Sequence, residues 1–290
     1  MKIKHTIKLT PRQRLLYWIR ERECIRLKKE AGEPKPWTDD EILQSYRFCN
    51  VRRMDDKVSR WLYNNWYYPN LDHPNMLLAC TLARQLNNPD SLAAIGFPTR
   101  WNPSKVEGIL LQRAEEGLKN YSAAYMITGR FGFGSSGRPR QTRPYQTVYT
   151  VCHPVYTAHV EIDSGSMQNT WSRLLSLPGF SPFIAGQVTA DLRWGISGSW
   201  EDKKVWAPIG PGSRRGMNIL LTREINYPLK QAKFERELVD MMSVCCDNLS
   251  PSITSRLEAI DYQNCLCEYS KYSKVLHGMG NPKRLYNGVQ

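Results

Sequence analysis

Several signals that mark common protein classes are missing from this sequence. Its eight cysteines contain no C-x-x-C pair, and no histidines stand at zinc-finger spacing, which argues against a zinc site. No glycine-rich run is followed by Lys-Ser or Lys-Thr, so we expect no P-loop and no nucleotide hydrolysis. No apolar stretch approaches the roughly 20 residues that span a bilayer, and the charged start lacks the pattern of a signal peptide. These absences predict a cytoplasmic protein with reduced thiols, no metal, no cofactor and no membrane contact.

Positive charge is in clear excess over negative charge. The 290 residues include 40 Lys and Arg against 27 Asp and Glu, a formal net charge of +13. The excess begins in the first thirty residues, continues at Arg138, Arg140 and Arg143, and returns at Arg214 and Arg215. Any one run can be an ordinary solvated face, but the net imbalance favours a polyanionic partner such as nucleic acid. A hydrophobic content of 41% is sufficient for one large core or two small ones.

Residues 175–191 have the layout of a helix-hairpin-helix, in which two short helices flank a Leu177-Pro178-Gly179 turn. Gly179 permits a positive φ and a close approach of the backbone. The first-turn amides of the second helix, predicted over residues 183–192, lack helical partners and can hold a phosphate. We therefore expect Gly179 and Ser181 to contact the DNA backbone without reading its sequence. An ordinary helical corner with a Pro-Gly turn is the alternative.

Apolar spacing and capping residues predict a mainly α chain. A basic helix over residues 10–31 begins at Thr10 and Pro11, and Thr38 with Glu41 predicts a capping box for the next helix. Further helices are predicted over residues 73–86, 104–119, 229–247 and 260–272. β-branched and aromatic residues predict short strands at 124–127 and 148–160, on either side of a basic, glycine-rich loop at 129–140. Residues 121–163 are therefore expected to form a small β and loop insertion.

A second glycine-rich segment, residues 208–216, combines three glycines with one serine and two adjacent arginines. We interpret it as a loop that follows an exposed turn at residues 200–207. Backbone amides, a hydroxyl and two guanidiniums would together hold phosphate or pyrophosphate. The candidate ligands are Gly210, Gly212, Ser213, Arg214 and Arg215. The alternative is a capped turn before a helix that begins at residue 217.

Residues 260–272 place several polar side chains at helical spacing. On a helix, Asp261, Asn264, Glu268 and Lys271 share one face at three- and four-residue steps. This face would offer a carboxylate base, an amide and an ammonium group in one place. A salt-bridged face in contact with solvent is the alternative.

Three blocks of the sequence together resemble one known family. They are residues 37–61, the hairpin together with residues 206–216, and residues 261–272. In combination they resemble the α-glutamyl/putrescinyl thymine pyrophosphorylases of bacteriophages, which are also described as amino acid:DNA transferases. The resemblance spans roughly residues 35–285.

The resemblance implies a helical fold similar to that of helix-hairpin-helix DNA glycosylases. One such domain is then expected over 35–285, with lobes at 35–120 plus the C-terminal helix and at 165–247. The basic helix at 1–34 precedes this domain, residues 121–163 are inserted in it, and a basic tail occupies 278–290. Glycosylases carry a catalytic aspartate near the start of the helix after the hairpin, whereas residues 207–216 contain no acid. Asp191 lies inside the second hairpin helix instead, so base excision is disfavoured.

The family also implies an activity on double-stranded phage DNA in the host cytoplasm. A partner kinase phosphorylates 5-hydroxymethyluracil, and the transferase then replaces the phosphate or pyrophosphate with an amine from an amino acid such as glycine, or from a polyamine. The kinase's own helical domain looks similar to this chain, but the missing Walker motif favours the transferase. Two alternatives stay open: a non-catalytic helix-hairpin-helix DNA-binding partner of the kinase, and a DNA glycosylase or lyase.

Residue roles follow from the chemistry of such a transfer. The base is best reached outside the stack, the amine must lose a proton, and the leaving group needs positive charge. We assign proton removal to Asp56 or Glu268. The other assignments are Asn264, Arg214 and Arg215 in catalysis; Arg52 and Arg60 beside the leaving group; Asn50, Asn264, Gln187 and Asp191 at the base; Lys271 with Gly179 and Ser181 on the DNA backbone; and Tyr46, Trp61, Trp66 or Tyr67 in stacking. Cys265 or Cys267 would serve a covalent route. Plain packing is the alternative for these cysteines and for the aromatic residues.

Overall fold

The computed structural model describes residues 8–122 and 142–280. Across these two ranges the chain is helical and contains no strand, which confirms the mainly α fold. No helix in the same ranges combines the length and the hydropathy needed to span a bilayer. The α-helices are α1 Pro11–Glu30, α2 Glu41–Ser45, α3 Lys57–Leu62, α4 Met76–Leu86, α5 Pro89–Ile95, α6 Pro103–Glu115, α7 Arg143–Tyr145, α8 His153–Thr157, α9 Met167–Leu174, α10 Pro182–Gly195, α11 Pro211–Leu220, α12 Gln231–Asn248, α13 Pro251–Thr254 and α14 Ala259–Leu276. π-helical segments span Tyr63–Tyr67 and Gln146–Cys152, and 3-10 turns span Arg53–Asp55, Tyr68–Asn70 and Glu201–Lys204.

Helix starts follow the capping residues with one exception. Thr10 caps α1 in a reciprocal box with Gln13, as its place before Pro11 predicts. The capping box expected between Thr38 and Glu41 is wrong, because Asp40 caps α2 and accepts hydrogen bonds from the first amides of that helix. The Thr38 hydroxyl instead donates a hydrogen bond to Glu21 Oε2, at 2.6 Å.

The strand predicted at residues 148–160 is also wrong. This stretch continues from α7 through a π-helical segment into α8. Val148, Val151, Cys152 and Val155 are buried at three- and four-residue steps, so they form one helical face. Burial of that face outweighs the strand preference of β-branched residues. The strand predicted at 124–127 and the glycine-rich loop at 129–140 lie outside the described residues, as do residues 281–290 of the basic tail.

The chain divides into two compact units. The terminal unit comprises Met1–Asp56 and Lys203–Gln290, and the middle unit comprises Lys57–Asp202. These boundaries are not those of the lobes expected from the sequence. In particular, the basic helix α1 belongs to the same unit as α14.

The terminal unit is built around α14, which contacts α1, α2, α11 and α12. Its aromatic core includes Trp18, Phe234, Tyr269 and Tyr272, all fully buried. The middle unit is built around α4, every residue of which is buried, and α4 packs against α10.

Candidate active site

The predicted helix–turn–helix is present in the middle unit as α9, a turn and α10. Gly179 has a φ of +81°, which is the positive value that the Pro-Gly turn requires. Ser181 caps α10, where its hydroxyl accepts the amide of Ile184 at 3.3 Å, and Pro182 takes the first helical position. The two helices and the turn are thereby confirmed. Contact of this turn with a DNA backbone stays a prediction.

Asp191, on α10, forms a buried ion pair inside the middle unit. Its two carboxylate oxygens accept hydrogen bonds of 2.5 Å from the Arg84 guanidinium, and the Tyr67 hydroxyl adds a third at 2.5 Å. Burial and the charge of Asp191 raise the pKa of Tyr67 well above its usual value. Gln187 is buried in the same helix. The sequence suggested base contacts for Asp191 and Gln187, whereas both are core residues of this unit in the structure.

Of the four aromatic residues suggested for stacking, two are buried and two are partly exposed. Trp66 and Tyr67 are buried, and the Trp66 ring packs 5.4 Å from that of Phe97, so both belong to the core. Tyr46 and Trp61 are partly exposed. The exposed turn expected at residues 200–207 is wrong at Trp200, Trp206 and Ala207, which are buried, although Val205 is exposed. The Trp206 indole donates to Glu235 at 2.8 Å.

The glycine- and arginine-rich segment is helical from Pro211 onwards, so the phosphate loop expected there is replaced by the first turns of α11. A Cβ on Gly212 would overlap the Cys267 thiol, and one on Gly216 would overlap the backbone of α14. These two glycines allow α11 and α14 to pack closely. The fully buried Ser213 hydroxyl accepts the Gly210 amide at 2.9 Å and caps the helix. The alternative of a capped turn before a helix is therefore correct, with the helix starting six residues earlier than expected.

Unlike the glycines of this segment, Arg214 and Arg215 are available for a role other than helix packing. Both are partly exposed, and no described residue pairs with either guanidinium. The Nε atom of each is buried and has no hydrogen-bond partner among the described residues. Arg215 lies close enough to α14 to affect two of its side chains: together with burial it lowers the pKa of Lys274, and its charge opposes the rise in the pKa of Cys267. The two arginines are thus cations without a counterion among the residues that the structure describes.

Two carboxylates of the terminal unit are held by consecutive backbone amides. The amide of Cys49 donates to Glu268 Oε2 at 3.2 Å, and the amide of Asn50 donates to Asp56 Oδ1 at 3.0 Å. The charge of Glu268 acts on Asp56, so the two acids lie close enough to interact. The pairing joins α14 to the irregular segment between α2 and α3.

Arg22, on α1, holds that irregular segment in place. Its guanidinium donates to the carbonyls of Phe48 and Cys49, both at 3.3 Å, and to Asn50 Oδ1 at 3.2 Å. The Asn50 amide group in turn donates to the Asp55 carbonyl at 2.8 Å. Asn50 is therefore a positioning residue, whereas the sequence suggested a contact with the base.

Glu268 has both oxygens in use. Its Oε1 accepts from the Lys271 ammonium, and only 2% of the residue is exposed. Burial by itself would lower the pKa of Lys271, but the charge and hydrogen bond of Glu268, together with the neighbouring thiols Cys267 and Cys49, raise it. Lys271, expected on the DNA backbone, is thus the counterion of a buried acid.

Asp56 has one oxygen free. Its Oδ2 accepts no hydrogen bond from any described residue. Burial, reinforced by the neighbouring charge of Glu268, raises the pKa of Asp56 to about 6, although the Asn50 amide and the cations Arg53 and Arg22 oppose the rise. A carboxylate with this pKa gives up and takes up a proton near neutral pH, as a general base requires.

The polar face predicted on α14 exists, but its acids Asp261 and Glu268 are buried, whereas Asn264 and Lys271 are partly exposed. Asp261 accepts the Arg53 amide at 2.8 Å and caps its own helix through the Glu258 amide at 3.0 Å. Asn264 lies between Asp261 and Glu268, and its Nδ2 is buried with no partner among the described residues. The face therefore holds one unused amide donor.

Thiols flank the carboxylates. Cys265 is fully buried beside the Val51 carbonyl, and burial raises its pKa well above the usual value. Burial and the Glu268 charge raise the pKa of Cys267 to about 11. The same two causes raise the pKa of Cys49 well above its usual value. Since the thiolate is the nucleophile, these shifts work against a covalent route. Among the described residues, no cluster of His, Cys, Asp or Glu is arranged to hold a metal ion.

Two predicted ligands of the leaving group remain, Arg52 and Arg60. Arg52 is 3.9 Å from Asp55 in the terminal unit, and Arg60 is an exposed residue of α3 in the middle unit. Sequence reasoning missed Arg22 and Cys49. A signal for Arg22 was present, since it stands four residues after Trp18 on the buried stripe of α1.

Comparisons with known proteins agree with the mainly helical structure. A family model described as the helical domain of 5-hmdU DNA kinase matches residues 11–281. A curated relative, the 5-hmdU DNA kinase of Bacillus phage SP10, is 24% identical over 209 residues, which are 64% of this chain and 32% of the relative. The chain thus spans about a third of the length of that relative. No solved structure matches it.

Proposed function

The chain belongs to the family described as the helical domain of 5-hmdU DNA kinase, and from this premise we propose that it acts in the hypermodification of thymine-derived bases in phage DNA. We propose specifically a transferase, which places an amine on phosphorylated 5-hydroxymethyluracil in duplex DNA and releases phosphate or pyrophosphate. The amine comes from an amino acid such as glycine, or from a polyamine. The sequence has no Walker motif, which supports transfer over phosphorylation.

The observation that carries this proposal is the free oxygen of Asp56. Its raised pKa and its unused Oδ2 suit it to take a proton from an incoming ammonium group. Glu268 is less suited, because Lys271 and the Cys49 amide already occupy its oxygens. Asp56 is therefore the proposed base, and burial, reinforced by the charge of Glu268, keeps its pKa high.

In the proposed step, Asp56 removes a proton from the ammonium and leaves a nitrogen lone pair. That nitrogen bonds to the exocyclic carbon of the base, and the carbon–oxygen bond to phosphate breaks with its electron pair going to the phosphate. Arg214 and Arg215 stabilise the negative charge that develops there, since neither has a counterion within the described ranges. Asn264 supplies its unused amide donor to the uracil edge.

The test is a transfer assay on DNA containing 5-hydroxymethyluracil that has first been phosphorylated by a 5-hmdU DNA kinase. The protein is incubated with this DNA and each candidate amine, and the digested nucleosides are weighed. We expect a mass gain with one class of amine, its loss in Asp56→Asn and Arg214→Ala, and measurable DNA binding by both variants. Asp247→Asn, an exposed aspartate on α12, is the matched control and should keep full transfer. No mass change with any donor, or full turnover by Asp56→Asn, would contradict the proposal.

A second candidate is a non-catalytic DNA-binding partner of the kinase. It is favoured by the relative itself, which is named a kinase. Only about a third of the length of that relative matches this chain. This candidate predicts no mass change by the protein alone and faster phosphorylation of DNA when the protein is added to the kinase. Asp56→Asn would leave that stimulation intact.

A further inference from the structure

A strip of aromatic rings lies on the surface of the middle unit. We define the aromatic strip as Trp101, Tyr145, Tyr149 and His153. The Tyr145 and Tyr149 rings are 4.8 Å apart between centroids and tilted by 34°, and 37% of Tyr145 is exposed. The Trp101 indole donates to His153 Nδ1 at 3.2 Å.

Two hydrogen bonds between residues 101–104 and residues 149–153 hold the strip in place. Tyr149 shares a hydroxyl hydrogen bond of 3.2 Å with Ser104, at the start of α6. Four residues further on, His153 is linked to Trp101, three residues before Ser104. The chain segments therefore run alongside each other and fix the rings in one row.

These rings are not needed for the core of the unit. The buried face of the same π-helical segment is made by its apolar residues, including Val148 and Val151, which have almost no exposed surface. Tyr145, Tyr149 and His153 recur every four residues along the same stretch and keep exposed or partly exposed surface. A π-helical turn of this kind often marks a functional position.

The charges beside the strip are mainly positive. Arg100 precedes Trp101, Lys105 follows Ser104, and Arg143 precedes Tyr145 by two residues; all three cations are exposed. The Arg143 guanidinium lies 3.7 Å from the centroid of the Tyr121 ring, which fixes its position. Glu107, one turn into α6, is the acid nearest in sequence to Lys105.

We propose that the aromatic strip binds an unpaired DNA strand by stacking of its bases. Exposed rings interleaved with cations suit single strands, because every base has a stackable face and every nucleotide a negative phosphate. A duplex hides its base faces, so it would not use the rings. His153 adds a polar contact: with Nδ1 accepting from Trp101, the neutral ring carries its hydrogen on Nε2, which can donate to a phosphate.

The test compares binding of an oligothymidine strand of about 12 nucleotides and of a duplex of the same length by fluorescence anisotropy at one salt concentration. The double variant Tyr145→Ala/Tyr149→Ala should raise the Kd for the single strand about 10- to 100-fold. The loss of one stacked base by itself changes a Kd about tenfold or more. Its Kd for the duplex should change by less than about twofold, because the rings do not enter it. Tyr145→Phe keeps its ring and leaves the hydrogen bond between Tyr149 and Ser104 in place, so it should bind the single strand as the wild type does.

Tyr227→Ala is the matched control. This tyrosine is also exposed, but Arg223 and Lys233 both lie over its ring, at 5.5 and 5.6 Å, so its faces are not open to a base. Its removal should leave single-strand binding unchanged. Circular dichroism and thermal melting verify folding, and the exposed single variant Tyr145→Ala replaces the double variant if that one melts early.

Three outcomes would overturn the proposal. They are unchanged single-strand affinity in Tyr145→Ala/Tyr149→Ala, an equal loss of duplex affinity, and tighter binding of oligouridine RNA than of oligothymidine by the wild type. The readout is binding and does not depend on transfer, so the strip can be confirmed or rejected whether or not the protein is a transferase.

Discussion

Asp56→Asn should make the protein more stable at neutral pH while it removes the proposed base. The folded chain holds the pKa of Asp56 at about 6, above its ordinary value of 3.8. The unfolded chain therefore ionises this carboxyl at a lower pH than the folded chain does. The neutral form favours folding below about pH 4, and this advantage is lost as pH rises through 6. Asparagine stays neutral at every pH, so the variant keeps this contribution to the stability of the folded chain.

The size of the effect follows from the pKa difference. A rise from 3.8 to about 6 corresponds to a ceiling of about 3 kcal/mol, at about 1.4 kcal/mol for each pH unit. Asp56 is partly exposed, so solvent screening reduces the expected gain to about 1–2 kcal/mol. The amide oxygen of asparagine can still accept the Asn50 amide, which keeps that hydrogen bond.

The assay is urea unfolding of wild type and variant at several pH values from 4 to 8. The free energy of unfolding of Asp56→Asn minus that of the wild type should be smallest at pH 4, rise through pH 6 and then level off. Asp247→Asn, the exposed control, should differ from the wild type by less than about 0.5 kcal/mol at each pH. A difference for Asp56→Asn that is constant with pH, or that falls as pH rises, would refute the reasoning.

Three further predictions test the packing and the thiols. Gly216→Ala should cost about 2 kcal/mol or more, because its Cβ would overlap the backbone of α14, whereas Gly108→Ala, with open space around it, should gain about 0.5–1 kcal/mol in urea unfolding; equal effects would contradict the packing role. Asp191→Ala should cost about 3–5 kcal/mol in the same assay because it leaves Arg84 buried without its counterion, and a loss below about 1 kcal/mol would show the pair to be dispensable. Cys267→Ala should keep transfer within about twofold in the nucleoside mass assay, since a pKa of about 11 leaves little thiolate at neutral pH; a tenfold loss would restore the covalent route.

Much of the fold was predictable because its signals are local. The start of α1 at Thr10 and Pro11, and the turn at Gly179, depend on residues within one helical turn of each other. The strand predicted at 148–160 failed because propensity competes with burial, and the buried valine face was decided by neighbours distant in sequence. The start of α11 was missed because glycines that favour a loop locally are also the residues that allow two helices to touch.

The candidate site was predictable in part. Asp56 and Glu268 were both named from the sequence, but which of them is free to act depends on a lysine and on two backbone amides that only the folded chain brings together. Asp191 shows the opposite case. Nothing local distinguishes an aspartate that meets a base from one that meets a buried arginine 107 residues away.

By itself, the sequence determined the mainly helical class, the positions of most helices and the excess of positive charge, because these follow from periodicity, caps and composition. Only the tertiary structure decided that Gly212 and Gly216 serve helix packing, that the two acids on the polar face of α14 are buried, and that Asp56 keeps an open oxygen and a pKa near neutrality. Burial and the approach of distant charges set these properties, and neither is encoded by neighbouring residues alone.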